Sequence, residues 1–306
     1  SGRSADARAH YNQSRELAEA RLATEPANVS ARRDLAAAHE KMGVLAQHAY
    51  QLQQARDHYT KALEIRQSLT AELSLDNDLS RDLYASHSRL GDLAHVAGEG
   101  STALEHYQAA RKIQQALSDS GAPDTVPAHD QVLMLRRLGW ASLAVLQMDD
   151  ARNYLAEALD LAESLAASDT ANATWRRDVA LIHHSTGFLH LQMGKFAAAE
   201  ELCGRALAIL QQLSDAEPNH AEMQYDVQLE HHWIARAKLA AGNIPGATES
   251  TRRQLEILQP LAANNPTSLK FRNELSNALY NLAELRLRDG HYDDTNRLLD
   301  QTIAVI

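Results

Sequence analysis

One cysteine, Cys203, is all the thiol chemistry that this chain of 306 residues carries. An internal disulfide framework is therefore excluded, and such usage fits a reducing, cytoplasmic compartment. Basic charge is also short: 30 Lys and Arg against 40 Asp and Glu leave a net charge of −10. No basic stripe is available to neutralise phosphates, which argues against nucleic acid as a ligand. No apolar run approaches the ~18 residues that span a bilayer, so no membrane segment is expected. Phosphate loops, nucleophile elbows, paired zinc motifs and kinase signatures are missing too. Catalytic residues, cofactors and metal ligands are accordingly not assigned, and an enzyme is not expected. Asp76-Asn77-Asp78 has the look of a calcium loop but lacks its glycine and later glutamate. Capping or linker sequence is the plainer account.

What the chain has instead is a period. Gly43, Gly91, Gly139 and Gly187 stand 48 residues apart, and the register continues through Ala235 and Ala283. A second small set follows at Ala55, Ala103, Ala151, Ala199, Ala247 and Thr295, and a third at Ala62, Ala110, Ala158, Ala206, Gln254 and Thr302. A fixed period of this size is the signature of a solenoid, in which each unit packs only on its neighbours. Six units are expected over about 25–72, 73–120, 121–168, 169–216, 217–264 and 265–306. Ala7 and Tyr11 fall one period before Ala55 and Tyr59, so 1–24 is expected to be the second helix of a preceding, truncated repeat. Ser1-Gly2 resembles a cloning remnant, and the array is expected to be cut from a longer protein. Tyr11 and Leu17 are expected to pack on the first helix of repeat one.

Each unit reads as two helices. In the fourth, Val179, Ile182, Thr186, Leu189 and Met193 make one apolar stripe at helical spacing, and Gly194 ends it. Gly98, Gly242 and Gly290 hold the same place. A second helix follows, with Phe196, Ala199, Leu202, Cys203, Ala206, Leu210 and Leu213 on a wide apolar face. Pro26, Pro218 and Pro266 punctuate the linkers. The small residues let two antiparallel helices approach, and Tyr59 or Tyr107 is expected to fill the space against the next repeat. In repeat three Gly121, Pro123 and Pro127 cannot continue a helix, so its first helix is expected to start late, near Ala128. In repeats five and six Thr251, Gln254, Thr295 and Thr302 replace core residues, which leaves their packing open.

Leu90-Gly91, Ala103, Tyr107 and Ala110 follow the leucine-glycine, alanine, aromatic, alanine pattern of the tetratricopeptide repeat, and the resemblance covers the whole chain. The usual unit is shorter, so the chain resembles a long-helix variant of the kind common in bacterial signalling proteins. The resemblance implies an all-α fold, a right-handed α-α superhelix of antiparallel helix pairs whose groove is lined by the first helices. It implies a protein or peptide ligand there. The lining positions are Leu133, Arg136, Trp140 and Leu143; Leu181, His184, Phe188 and Leu191; Leu229, His232, Arg236 and Leu239. No acid occurs among these twelve, whereas the equivalent columns of other repeats carry Glu40, Asp92 and Glu284. Either these leucines face a ligand, or the long helices bury them. A non-catalytic scaffold is the expectation. Two others stand beside it: a regulatory domain of a larger bacterial signalling enzyme such as a kinase, and a self-association module dimerising through the apolar C-terminal helix.

Three recurrent columns read as structural. His39, His87, His183 and His231 share a register on successive first helices, too far apart for one ion. In the doublets His183-His184 and His231-His232 the second histidine is expected on another face. Asp34, Asp82, Asp130, Asp178, Asp226 and Glu274 sit early in the first helices, where the helix dipole favours a negative charge. Arg33, Arg81 and Arg177 beside them offer partners. Cys203 replaces the aromatic of its register and is expected to be a buried, inert thiol.

Overall fold

The computed structural model describes residues 2–73, 77–120 and 127–305, with side chains from residue 6 onward. Asp76, the segment 121–126 and Ile306 lie outside the described residues. Thirteen helices and no strand are found among them. They are α1 (Gly2–Thr24), α2 (Val29–His48), α3 (Leu52–Glu72), α4 (Asn77–Val96), α5 (Gly100–Asp119) and α6 (Ala128–Ala144). Then come α7 (Met148–Ser168), α8 (Ala173–Gln192), α9 (Phe196–Ala216), α10 (Ala221–Ala240), α11 (Ile244–Asn264), α12 (Leu269–Arg288) and α13 (Tyr292–Val305). From α3 on, every second helix starts 48 residues after the last: 52, 100, 148, 196, 244, 292. The helices between them start at 29, 77, 173, 221 and 269, and α6 alone is late, at Ala128, where the prolines placed it.

The local chemistry repeats with the period. Asn28 accepts a hydrogen bond from the Ala31 N–H at 2.9 Å, and Asn172 from Trp175 at 3.2 Å. His220 and Ser268 cap α10 and α12 from the same register. These side chains satisfy amide donors that the first turn leaves open. Between the helices of each pair the chain reverses through one residue of positive φ. Gly98, Gly194, Gly242 and Gly290 hold 76°, 72°, 80° and 77°. The two remaining members of the register are not glycine: Tyr50 sits at 55° and Leu146 at 63°, and their side chains are 84% and 75% exposed. Left-handed backbone is unfavourable for a side chain of that size, so these two turns are strained where four are not.

Two compact units divide the chain, residues 1–151 and 152–306. In the first, each helix of the run α1 to α6 packs on the next one in that run. In the second, the successive helices of the run α8 to α13 pack on one another in the same way, and α8 also touches α10. This is the nearest-neighbour pattern of a helical repeat. The crossings explain the small residues. A methyl group added to Gly43 would meet Tyr59 Cε1 at 2.5 Å, and one on Gly91 would meet Tyr107 Cε1 at the same 2.5 Å. The tyrosine therefore fills the space over the glycine of its own hairpin as well as reaching forward, since Tyr59 clusters with Leu90 and Leu93 of α4. In α8 the pair is Gly187 and Cys203, whose Sγ would lie 2.8 Å from such a methyl. Where repeat five has Ala235 in place of glycine, the residue at the tyrosine position is the smaller Thr251, which is buried. Thr251 satisfies itself by donating to the Ala247 carbonyl at 3.0 Å, and buried Gln254 donates to Gln228 Oε1 at 3.0 Å.

At the ends one expectation needs revision and another holds. Leu17 is 65% exposed; it is Ala18 that α1 buries, because Leu17 falls on the outer face of the helix. In α13 Leu298 is buried while Ile303 is 74% exposed, so its apolar residues divide between the packed and the open side.

Candidate binding wall on the first helices

In the second unit α8 and α10 bring an aromatic group together. Phe188 meets Trp233 edge-on with ring centroids 4.9 Å apart, and His184 and His232 approach the same indole at 6.0 Å and 5.1 Å. The Arg236 guanidinium lies 5.5 Å from the Trp233 centroid, within cation–π range. Four of the residues expected along this wall, Phe188, His184, His232 and Arg236, therefore converge on one that the sequence columns missed. Trp233 stands where earlier repeats carry Arg89, Arg137 and Ser185, so no column announces it. A cleft of about 460 Å³ continues from His232 and Arg236 along Leu239 to Asn281, Leu285 and Arg288 of α12.

Below this surface lies an acid that the columns also missed. Glu230 is 1% exposed, and its Oε1 lies 2.6 Å from His184 Nδ1. Burial pushes the Glu230 carboxyl up, which His184 opposes. His232 is held down to about 4, by burial first and then by Arg236 and His184. Burial also pushes the Cys203 thiol up, as expected of an inert thiol, with Glu230 adding to the effect.

The expected positions differ in access. Leu181, Leu191, Leu229 and Leu239 are half-buried, as is Leu133 on α6, so each keeps part of its surface open. Leu143 is buried, and His184 turns inward to Glu230. Of the doublets, His183 and His184 are both buried, while His231 and His232 are both half-buried.

In the first unit the corresponding wall is ionic. Asp92 on α4 accepts from Tyr107 Oη at 2.9 Å and from Arg137 Nη2 at 3.1 Å. With His95, Arg136 and Trp140 these residues line a cleft of about 350 Å³. One repeat earlier, buried Arg66 reaches Glu40 at 2.7 Å and Ser86 Oγ at 2.6 Å. Two of the early-helix acids are paired across repeats: Arg33 meets Asp82 at 3.6 Å, and Arg177 meets Asp226 at 2.6 Å. Each such pair ties one repeat to the next.

Among the described residues no group of three or more His, Cys, Asp or Glu side chains is placed to hold a metal ion, and no helix is long and apolar enough to cross a membrane. No protein-family model and no curated protein matches the sequence. Solved structures do. BtubC from P. vanneervenii superposes with a TM-score of 0.60 at 22% identity, over 84% of this chain and 92% of that one. A signal-transduction ATPase with a tetratricopeptide repeat sensor, from Pyrococcus horikoshii, gives 0.60 at 12% identity, over 94% of this chain and 40% of that one. The fold is tetratricopeptide-like. A Rap protein complexed with competence and sporulation factor also matches this tetratricopeptide-like array, with a TM-score of 0.59 at 13% identity, over 100% of this chain and 77% of that one.

Proposed function

We propose that the chain is a non-catalytic scaffold that binds a protein or peptide segment against its first helices. The observation that carries this is the Phe188–Trp233–Arg236 group beside the 460 Å³ cleft, an aromatic and guanidinium surface of the kind that dominates binding energy in interfaces. Half-buried Leu181, Leu229 and Leu239 would extend the contact on α8 and α10, and Leu133, Arg136 and Trp140 on α6 supply a second, separate surface in the first unit. The Rap protein of the same fold, solved with its bound factor, supports the class of function. Capture of partners from cells, with the recovered protein then measured as a purified component, is the test. Phe188→Ala, Trp233→Ala and Arg236→Ala together should weaken that purified interaction by at least about tenfold, with helicity by circular dichroism unchanged. Equal affinity for wild type and triple variant would overturn the assignment.

The tetratricopeptide sensor of the Pyrococcus horikoshii ATPase favours a regulatory setting, with this array as the sensing part of a larger signalling protein. Ile303, open on α13, favours self-association. Light scattering on Ile303→Glu decides that point: a monomer at all concentrations, identical in wild type and variant, excludes pairing through α13.

A further inference from the structure

Two pairs of histidines meet across hairpins of the first unit. His39 on α2 and His58 on α3 bring their Nδ1 atoms to 3.0 Å, and His87 on α4 and His106 on α5 repeat this at 3.1 Å, one period later. Ring centroids are 5.3 Å apart in both, with planes tilted by 36° and 46°. The column of histidines on successive first helices cannot share an ion, but here the second ligand comes from the antiparallel helix of the same hairpin.

We propose that each pair is a two-point chelate for a divalent late transition-metal ion that prefers square or octahedral geometry, Cu²⁺ ahead of Ni²⁺. At a metal–nitrogen distance of about 2.05 Å, nitrogens this far apart subtend about 95° at the ion. That is close to the right angle between neighbouring ligands in square-planar and octahedral complexes, and below the ~109° of a regular tetrahedral zinc site. Copper leads nickel in intrinsic affinity for nitrogen ligands. His58 and His106 are only half-buried, so solvent can fill the remaining positions.

The two sites differ in their surroundings. Lys61 and Arg15 face the first pair, against Glu19 and Asp57. At the second, Glu105 acts more strongly on His106 than Arg56 does. A dication therefore fills the His87–His106 site first. In the other repeats the register holds Leu135 with Tyr154, His183 with Leu202, His231 with Ser250 and Leu279 with Leu298, and no second imidazole is available.

Titration of the full chain with Cu²⁺ at neutral pH, followed by calorimetry and electron paramagnetic resonance, tests this. Two equivalents with nitrogen hyperfine structure are expected. His106→Gln should remove the tighter, His58→Gln the weaker, and the double variant both, with helicity retained as a check on folding. Leu202→His, which places an imidazole opposite His183, should add a third equivalent. The proposal is overturned if the double variant binds the same two equivalents with the same spectrum, if Leu202→His adds none, or if Zn²⁺ displaces Cu²⁺ at equal concentration.

Discussion

The first unit builds the wall of its first helices from ion pairs, while the second builds the same positions from rings. Asp92 pairs with Arg137 and Tyr107 there, and Glu40 with Arg66. On α8 and α10 the equivalent surface carries Phe188, Trp233, His232 and Arg236, with the Glu230 carboxyl buried beneath them. Both units are built from the same kind of repeating helix pair. One scaffold thus hosts a wall whose charges are internally satisfied and another with aromatic surface to offer. Ion pairs fix the geometry of neighbouring helices at little net gain in energy, whereas aromatic surface gains by being covered.

Acid should separate the units most. Free imidazole protonates near 6.5, whereas His39 and His87 in the folded first unit protonate near 4, and His58 and His106 are also lowered. The unfolded chain therefore takes up protons first, so stability that is full above pH 6.5 falls as the pH drops toward 4. Each fully shifted histidine contributes about 1.4 kcal/mol per pH unit in that window. The second unit has lowered histidines as well, His183, His231 and His232, but its raised Glu230 works in the opposite sense. Hydrogen exchange at pH 5 should show α2 to α5 opening before α8 to α11. Simultaneous opening would erase the distinction.

Next in size is the buried ion pair. Glu40→Ala leaves the buried Arg66 guanidinium with only the more distant Asp82 carboxylate at 4.0 Å, which should cost about 3 kcal/mol in urea unfolding. Phe188→Ala in the second wall removes half-buried surface and should cost less than Glu40→Ala while affecting partner binding more. The reverse ordering would show that the aromatic wall is structural.

The crossings give a third contrast. Gly91→Ala drives a methyl group into the Tyr107 ring and should cost about 1–3 kcal/mol. Tyr107→Thr combined with Gly91→Ala copies the Ala235–Thr251 arrangement of repeat five and should recover part of that loss, read as a non-additive double-mutant cycle. Smallest is the release of strain: Tyr50→Gly and Leu146→Gly should each stabilise the first unit by up to about 1 kcal/mol, because the other four turns already use glycine. No change in melting point for either variant would mean these turns carry no strain.

Much of the fold was legible because helix starts, caps and crossing residues all obey one period. Ala128 was found as the start of α6 from two prolines, and the glycines of four turns were found from their place after an apolar stripe. Tyr50 and Leu146 were not, because nothing in a tyrosine or leucine announces a left-handed backbone; the neighbouring repeats impose it. The wall was legible only by columns. That approach found Phe188, His232 and Arg236, whose side chains follow the register, and missed Trp233 and Glu230, which break it. His58 and His106 escaped for a related reason: histidines were compared along first helices, whereas their partners lie across the hairpin.

The identical spacing of the caps has a consequence for how such a chain can be edited. Asn172 and His220 both stand just before a helix and both accept from the amide three residues on. Deleting residues 173–220 would join Asn172 directly to Ala221, leaving a capped helix and an unbroken register on either side of the joint. The product should remain folded with the same helicity per residue, shorter by one hairpin. Length in this protein is therefore quantised, and can be shortened or lengthened by whole hairpins without redesigning a single turn.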